Sequence, residues 1–467
     1  MRDAGDAIRD TGYGMRDTGY EFRDAGFGIR DSKRASRIAS PVSRISYPGT
    51  RIWHRRGSSI TLMREHFKTM KIRIHIPSIH GTIPVMIARA SFLKQLARAV
   101  KRSPITSLIG PRQCGKTTLA RLFAEGKRST FFDLGSQPDV RRLQNPELIL
   151  GSLRGIVVLD EIQEMPELFS ALRVIADRPN SKARFLVLGS ASPDIVKNVS
   201  ETLAGRVEFI ELSGFNLQEV GADPLESLWL RGGFPRSFLA RSDEDSMAWR
   251  EGFIRTFLER DIPRLGISIP SSALRRFWTM LAHYHGQTWN ASELARSMGL
   301  SDKTVRAYLD ILTGTFMIRQ LQPWYENIGK RQVKSPKVYF RDSGILHSLL
   351  NLSDFHSLTG HPRIGASWEG FALEQTLQRL KLPQVFFWAT HNGAELDLFF
   401  LHHGRRYGIE FKFSEAPETT KSMHIALQTL KLHHLWIIHP GKHPYPIDKK
   451  ISALPLTDIG TLEKFVR

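Results

Sequence analysis

Residues 108–123 read LIGPRQCGKTTLARLF: a short apolar run, a loop bounded by glycines, then the start of a helical pattern. The loop fits G-x-x-x-x-G-K-[ST] with Gly110, Gly115, Lys116 and Thr117. A strand must end at the first glycine and a helix must begin at the lysine. The backbone between them must turn its N–H groups inward, which glycine permits, and the helix N-terminus adds a positive dipole end. We therefore expect Gly110, Pro111, Arg112, Gln113, Cys114, Gly115, Lys116, Thr117 and Thr118 to enclose a nucleoside triphosphate. Lys116 would reach its β- and γ-phosphates, and the Thr117 hydroxyl would hold Mg²⁺. The chain has no N-K-x-D guanine-reading motif, so ATP is the expected nucleotide. Cys114 is the sole cysteine, which excludes an intramolecular disulfide. We read it as a small buried filler in preference to a redox switch.

A second stretch supports the first. GIVVLDEIQEMPEL, residues 155–168, is a buried-strand pattern that delivers Asp160 and Glu161 at its C-terminal end, where open α/β sheets bind ligands. Asp160 is expected to hold Mg²⁺ and Glu161 to polarise the attacking water; the alternative is an acidic first helical turn. Further strands are expected at FFDL (131–134), RFLVLGS (184–190) and VEFIEL (207–212).

The order of phosphate loop, Asp-Glu strand, polar-tipped strand and arginine before the last strand resembles the AAA ATPase superfamily. The resemblance implies that Arg206 is a finger reaching a neighbouring subunit's γ-phosphate, with Arg178 and Arg184 as rivals, and that Ser190 senses the γ-phosphate. A finger of this kind implies a homo-oligomer. More specifically, GPRQCGKTT, VVLDEIQEMPELFSALRVIADRP, FLVLGSAS, LAGRVEFIEL, GGFP (232–235) and GAELD resemble a prokaryotic group of AAA-type ATPases with a C-terminal domain of unknown function.

Residues 214–270 read as a helical lid. Residues 289–313 read as helix-turn-helix, with Ser292 capping the first helix, Gly299 in the turn and Ser301 or Asp302 capping the second. Strands FMIRQL and KVYFRD flank a basic loop with Lys330, Arg331, Lys334 and Lys337, the arrangement of a winged helix. Lys303, Thr304 and Arg306 would then face a major groove while the wing touches phosphate. The alternative is an assembly module with a solvated charged face.

Residues 393–412, GAELDLFFLHHGRRYGIEFK, predict a hairpin with Glu395 and Asp397 on one face of its first strand and Glu410 and Lys412 on one face of its second. The opposite face of the first strand would carry Leu396, Leu398 and Phe400. With Glu369 on the preceding helix, the pattern resembles the PD-(D/E)-x-K fold of restriction endonucleases, although Leu396 stands where that signature has proline. The resemblance implies Mg²⁺ on Asp397, Glu410 and Glu369, with Lys412 orienting a water. The alternative is cross-strand charge pairing on a half-exposed sheet.

Residues 2–31 repeat a seven-residue unit beginning Arg-Asp, but glycine in each unit and the absence of an a/d seam argue against a coiled coil. We read residues 1–85 as low-complexity tail, with the native start expected at or near Met86. No run of about 20 apolar residues is present, and no secretory leader pattern, so a cytoplasmic protein without membrane contact is expected. Net charge is +20, of which residues 1–85 carry 16 Lys and Arg against 8 Asp and Glu. The remaining excess suits a phosphate-backbone partner, DNA.

The expected architecture is α/β. An AAA-type P-loop parallel sheet (86–213) is followed by the helical lid (214–270), a winged helix-turn-helix (271–345) and a restriction-endonuclease-like α/β domain (346–467). The leading functional expectation is Mg²⁺-dependent ATP hydrolysis coupled to a DNA-associated C-terminal region. An ATP-gated metal-dependent DNA nuclease and a slow ATP-binding switch are the alternatives.

Overall fold

The computed structural model describes residues 87–179, 181–190, 201–325 and 333–466. The repeat, the tail to residue 85, the expected start near Met86 and the wing residues Lys330 and Arg331 lie outside them.

Five parallel strands form the first sheet: β1 (Ile105–Gly110), β2 (Ser129–Asp133), β3 (Gly155–Asp160), β4 (Ala183–Ser190) and β5 (Val207–Glu211), in the order β2-β3-β4-β1-β5. Parallel strands covered on both faces are buried along their length: GIVVLD is a near-continuous apolar run, and ITSLIG is buried throughout, Thr106 and Ser107 included. Leu108, Val158, Leu186 and Ile210 pack on Leu119 and Phe123 of the helix Lys116–Ala124 and on Leu96 of the helix Ala90–Arg102. The other face sets Val157, Leu159, Phe185 and Val187 against Leu168, Leu172 and Ile175 of the helix Leu168–Ala176. Because the strands run one way, Gly110, Asp160 and Ser190 all leave the sheet at its C-terminal edge.

Residues 217–283 are helical, with helices Leu217–Val220, Leu225–Arg231, Pro235–Phe238, Asp243–Thr256 and Ser271–His283. A π turn, Phe257–Asp261, interrupts the run just before Pro263. Proline has no N–H to return to the carbonyl four residues back, so the ladder widens there. The next pair of helices is Ala291–Met298 and Asp302–Gly314, joined through Gly299 in left-handed conformation. Asn290, not the expected Ser292, caps the first by accepting from the Glu293 N–H; Ser301 caps the second. Three short antiparallel strands, one before the helix pair and two after it, form a sheet in the order β6 (Gln287–Thr288), β8 (Lys337–Phe340), β7 (Ile318–Leu321). Lys337, read from the sequence as part of the exposed basic loop, instead begins β8 and is only 3 % exposed.

The last sheet has the order β13-β14-β12-β11-β10-β9, built from β9 (Val385–Ala389), β10 (Glu395–His402), β11 (Arg405–Phe411), β12 (His434–His439), β13 (Tyr445–Asp448) and β14 (Ile451–Pro455). The helix Ile364–Leu380 covers one face, bringing Trp368 and Leu373 to Leu398, Phe400 and Ile409. The expected alternation along β10 is broken. A register shift between Leu396 and Phe399 puts those two together in the opposite core with Met423 and Ile437, away from Leu398 and Phe400. A bulge inserts one residue and re-aims its neighbours; the residue it re-aims here is Asp397.

Apolar cores run across the expected domain limits. One continuous cluster joins Leu108 and Leu186 to Phe253, Trp278, Leu309 and Phe340. Another joins Phe215 and Trp229 to Trp368 and Leu398. Among the described residues no helix is long and apolar enough to cross a membrane.

Candidate functional site

A cavity of about 660 Å³ opens at the C-terminal edge of the first sheet. It is lined by Arg112 to Leu119, by Asp160 and Glu161, and from the helical segment by Phe215, Pro235, Arg236 and Leu239. Gly110 has no room for a side chain, since a Cβ there would stand 2.0 Å from the Leu212 carbonyl oxygen. Gly115 lies at φ +96 and Gln113 at φ +61, so the loop turns through left-handed backbone twice before its helix starts. Lys116 is buried, and its ammonium donates to the carbonyls of Gly110 (3.0 Å) and Pro111 (2.8 Å). Cys114 is fully buried, with Sγ 3.5 Å from the Leu212 carbonyl oxygen, as a filler would be.

The Thr117 hydroxyl donates to Asp160 Oδ2 at 2.7 Å. Burial raises the Asp160 pKa, the Thr117 hydrogen bond opposes that rise, and the Glu161 charge adds to it. A hydroxyl and a half-buried carboxylate joined beside a phosphate loop are hard oxygen donors, which fit Mg²⁺. Glu161 has φ +56, rare for a side-chain-bearing residue, and its carboxylate accepts from the Gln163 amide. Such strained backbone clusters at functional sites.

Ser190 ends β4 opposite Gly110 in register. Arg206 lies at the other edge of the sheet, just before β5, and forms a two-bonded ion pair with Asp177 at 2.6 and 2.8 Å. It is therefore remote from its own chain's cavity, whose lining does not include it. Its rivals are engaged locally, Arg178 with Glu147 and Arg184 with the Ala183 carbonyl. Arg112, expected on the nucleotide, is ion-paired at 2.5 Å with the buried Asp261 of the π turn.

Two charged residues of the cavity lining, Arg236 and Arg89, were not singled out from the sequence. Arg236 follows the GGFP stretch and enters the cavity from the helix Pro235–Phe238. Arg89 is 4 % exposed and pairs with Glu219 at 2.6 and 2.9 Å. It also donates to the carbonyls of Cys114, Ser213 and Gly214. Its partners lie up to 130 residues away, beyond any local pattern. For Arg236 the signal was the basic residue beside a Gly-Gly-Phe-Pro turn.

The expected second metal site needs correction. The structure does gather Asp397 and Glu369, with Glu410 and Lys412 close by, but it gathers them around a lysine. The Lys337 ammonium stands 3.2 Å from Glu369 Oε1 and 3.4 Å from Asp397 Oδ1, and it also pairs with Glu395. Asp397 Oδ2 accepts from the Phe411 N–H of β11 at 3.0 Å. Tyr339 donates to Glu369 at 2.6 Å, and Lys412 pairs with Glu410 at 2.8 Å. Burial and the Asp397 charge push Glu369 up to about 7 and Glu410 up to about 8. Among the described residues no group of three or more His, Cys, Asp or Glu side chains is arranged to hold a metal ion. A buried ammonium is an ionic partner for these carboxylates, so the residues as placed do not fit a divalent ion.

A family described as an AAA domain matches residues 102–221, and domains of unknown function DUF8612 and DUF4143 match residues 222–356 and 364–459. The uncharacterized protein Rv2008c of Mycobacterium tuberculosis is 50% identical over 377 residues, which is 81% of this chain and 86% of that protein. Its counterpart Mb2031c of Mycobacterium bovis matches to the same extent. The Lon protease of Rickettsia prowazekii is 28% identical over 194 residues, 37% of this chain and 22% of its own length. Among solved structures, the Walker-type ATPase PABY2304 of Pyrococcus abyssi covers 57% of this chain and 96% of its own, with 15% identity and a TM-score of 0.41. The chain belongs to the family of the two mycobacterial proteins, and its residues 102–221 are an AAA-superfamily P-loop ATPase domain.

Proposed function

We propose that the chain hydrolyses Mg²⁺-ATP in the cavity at the β1 and β3 ends and uses the nucleotide state to move a DNA-associated C-terminal half. The observation that carries this reading is the cavity itself. It joins a strained phosphate loop, the Thr117–Asp160 pair and Glu161 to Arg236 of the helical segment. On binding, the Lys116 ammonium exchanges the Gly110 and Pro111 carbonyls for phosphate oxygens, and the Thr117 hydroxyl and Asp160 would hold Mg²⁺. Mg²⁺, when bound, supplies positive charge against the phosphate oxygens. Glu161 orients the attacking water and draws its proton. Arg236 grips the phosphates from the lid side, so turnover pulls on the helices. Ser190 senses the γ-phosphate, and Arg206 completes the site of a neighbouring copy, for which its place at the far edge suits it. Lys116→Ala should weaken ATP binding at least 10-fold in a nucleotide titration of the full chain; unchanged affinity would remove the site.

The helices Ala291–Met298 and Asp302–Gly314 with the sheet β6-β8-β7 support the winged-helix reading of the DNA-facing part. Lys303 and Arg306 project from the second helix into solvent, and Thr304 is half-buried. Reversing both charges (Lys303→Glu with Arg306→Glu) should weaken duplex DNA binding and lower the slope of log affinity against log salt, because two cations facing the polyanion become anions. A slope equal to the parent's would point to an assembly module. We assign no cleavage step to the C-terminal sheet.

A further inference from the structure

The carboxylate cluster of the last sheet lies outside the nucleotide cavity and has its own logic. Glu369 comes from a helix, Glu395 and Asp397 from β10, and Glu410 from β11, yet the ammonium between the first three comes from β8 of the preceding module. Three carboxylate oxygens within 3.4 Å of one nitrogen surround a cation position. Hard oxygen ligands converging in this way suit a divalent ion when nothing else is there. Two observations point to a position built for positive charge. Glu410 Oε2 is buried and finds no hydrogen-bond partner among the described residues, although Oε1 pairs with Lys412. Among the described residues, the ion pairs of four acidic side chains, Glu369, Glu395, Asp397 and Glu410, are shared between two ammonium groups, Lys337 and Lys412.

We propose that the Lys337 ammonium is the resident cation of this cluster, so that the C-terminal sheet carries a carboxylate site closed to divalent metal by a side chain of its own chain. Lys337 is fixed there by more than charge. Its backbone pairs with Thr288 and Leu321 across the sheet, and Phe387 lies beneath its ammonium at 5.7 Å from the ring centre. A metal could enter only where β8 withdraws or the lysine is lost.

The test uses the full chain without nucleotide, with Mn²⁺ as the probe because it takes carboxylate ligands and its free form is counted by electron paramagnetic resonance. Wild type and Asp397→Asn should take up the same amount of Mn²⁺. Lys337→Met should take up one further ion per chain, at least 10-fold tighter than any wild-type site, and Lys337→Met with Asp397→Asn should lose it. Uptake by wild type that Asp397→Asn abolishes would overturn the proposal, and so would a folded Lys337→Met that gains no ion. Should Lys337→Met fail to fold, the wild-type and Asp397→Asn pair still decides, since Asp397-dependent uptake contradicts a lysine-filled site.

Discussion

Glu161→Gln should abolish steady-state ATP turnover while leaving ATP bound. Glutamine keeps the size and the hydrogen bonding of glutamate but cannot take a proton. The loss expected from removing a positioned general base is about 10²–10⁴-fold in rate. Nucleotide affinity should change little, because in the proposed site Lys116, the loop N–H groups and Arg236 hold the phosphates while Thr117 and Asp160 hold the metal. Structure supports this separation: Glu161 follows β3 in left-handed backbone, held by its own N–H to Asp160 Oδ1 at 3.0 Å and by Gln163. Its position is fixed before any ligand arrives. The measurement is phosphate release alongside retention of labelled ATP. Turnover within about threefold of the parent would assign the water to another residue. Slow release in the parent itself would favour the ATP-binding switch over the hydrolase.

Sequence made the first sheet legible because burial on both faces leaves continuous apolar runs at the centres of β3 and β4, and because the loop motif fixes where β1 ends. The helix pair was legible through its caps and Gly299, apart from the shift of the first cap from Ser292 to Asn290. What escaped depended on distant pairing. Lys337 sits in a basic stretch, and local composition assigns such lysines to solvent. Its burial follows from carboxylates 32, 58 and 60 residues further on. Strict alternation predicted Leu396 beside Leu398, whereas a single bulge moves Leu396 into another core and leaves Asp397 capping the Phe411 N–H. Neither event has a local signature. The same holds for Arg112, whose partner Asp261 is placed by a π turn ahead of Pro263.

Arg89→Met should cost more stability than any exposed change in the domain and weaken ATP binding as well. Arg89 and Glu219 have side chains 5% and 2% exposed, so removing the guanidinium leaves a buried carboxylate without its countercharge. Breaking one partner of such a pair costs about 3–5 kcal/mol. For a chain of this size that lowers the melting temperature by about 5 °C. The accompanying Glu219→Gln should recover part of the loss, because a neutral amide still accepts from the Asn216 N–H that Glu219 now receives at 3.1 Å. The effect on ATP has a separate cause. Arg89 donates to the Cys114 carbonyl inside the phosphate loop and to those of Ser213 and Gly214 beyond β5. It thus ties the loop to the start of the helical segment, and its ring neighbours Phe92 and Phe215 hold it flat between them. Without that tie the loop must be ordered by the nucleotide, so affinity should fall several-fold even below the melting transition, and Glu219→Gln should not restore it. A melting temperature within about 2 °C of the parent would show that water or rearranged side chains compensate Glu219. Full recovery of ATP affinity in the double variant would show that the ion pair, not the bond to the loop, sets the cavity.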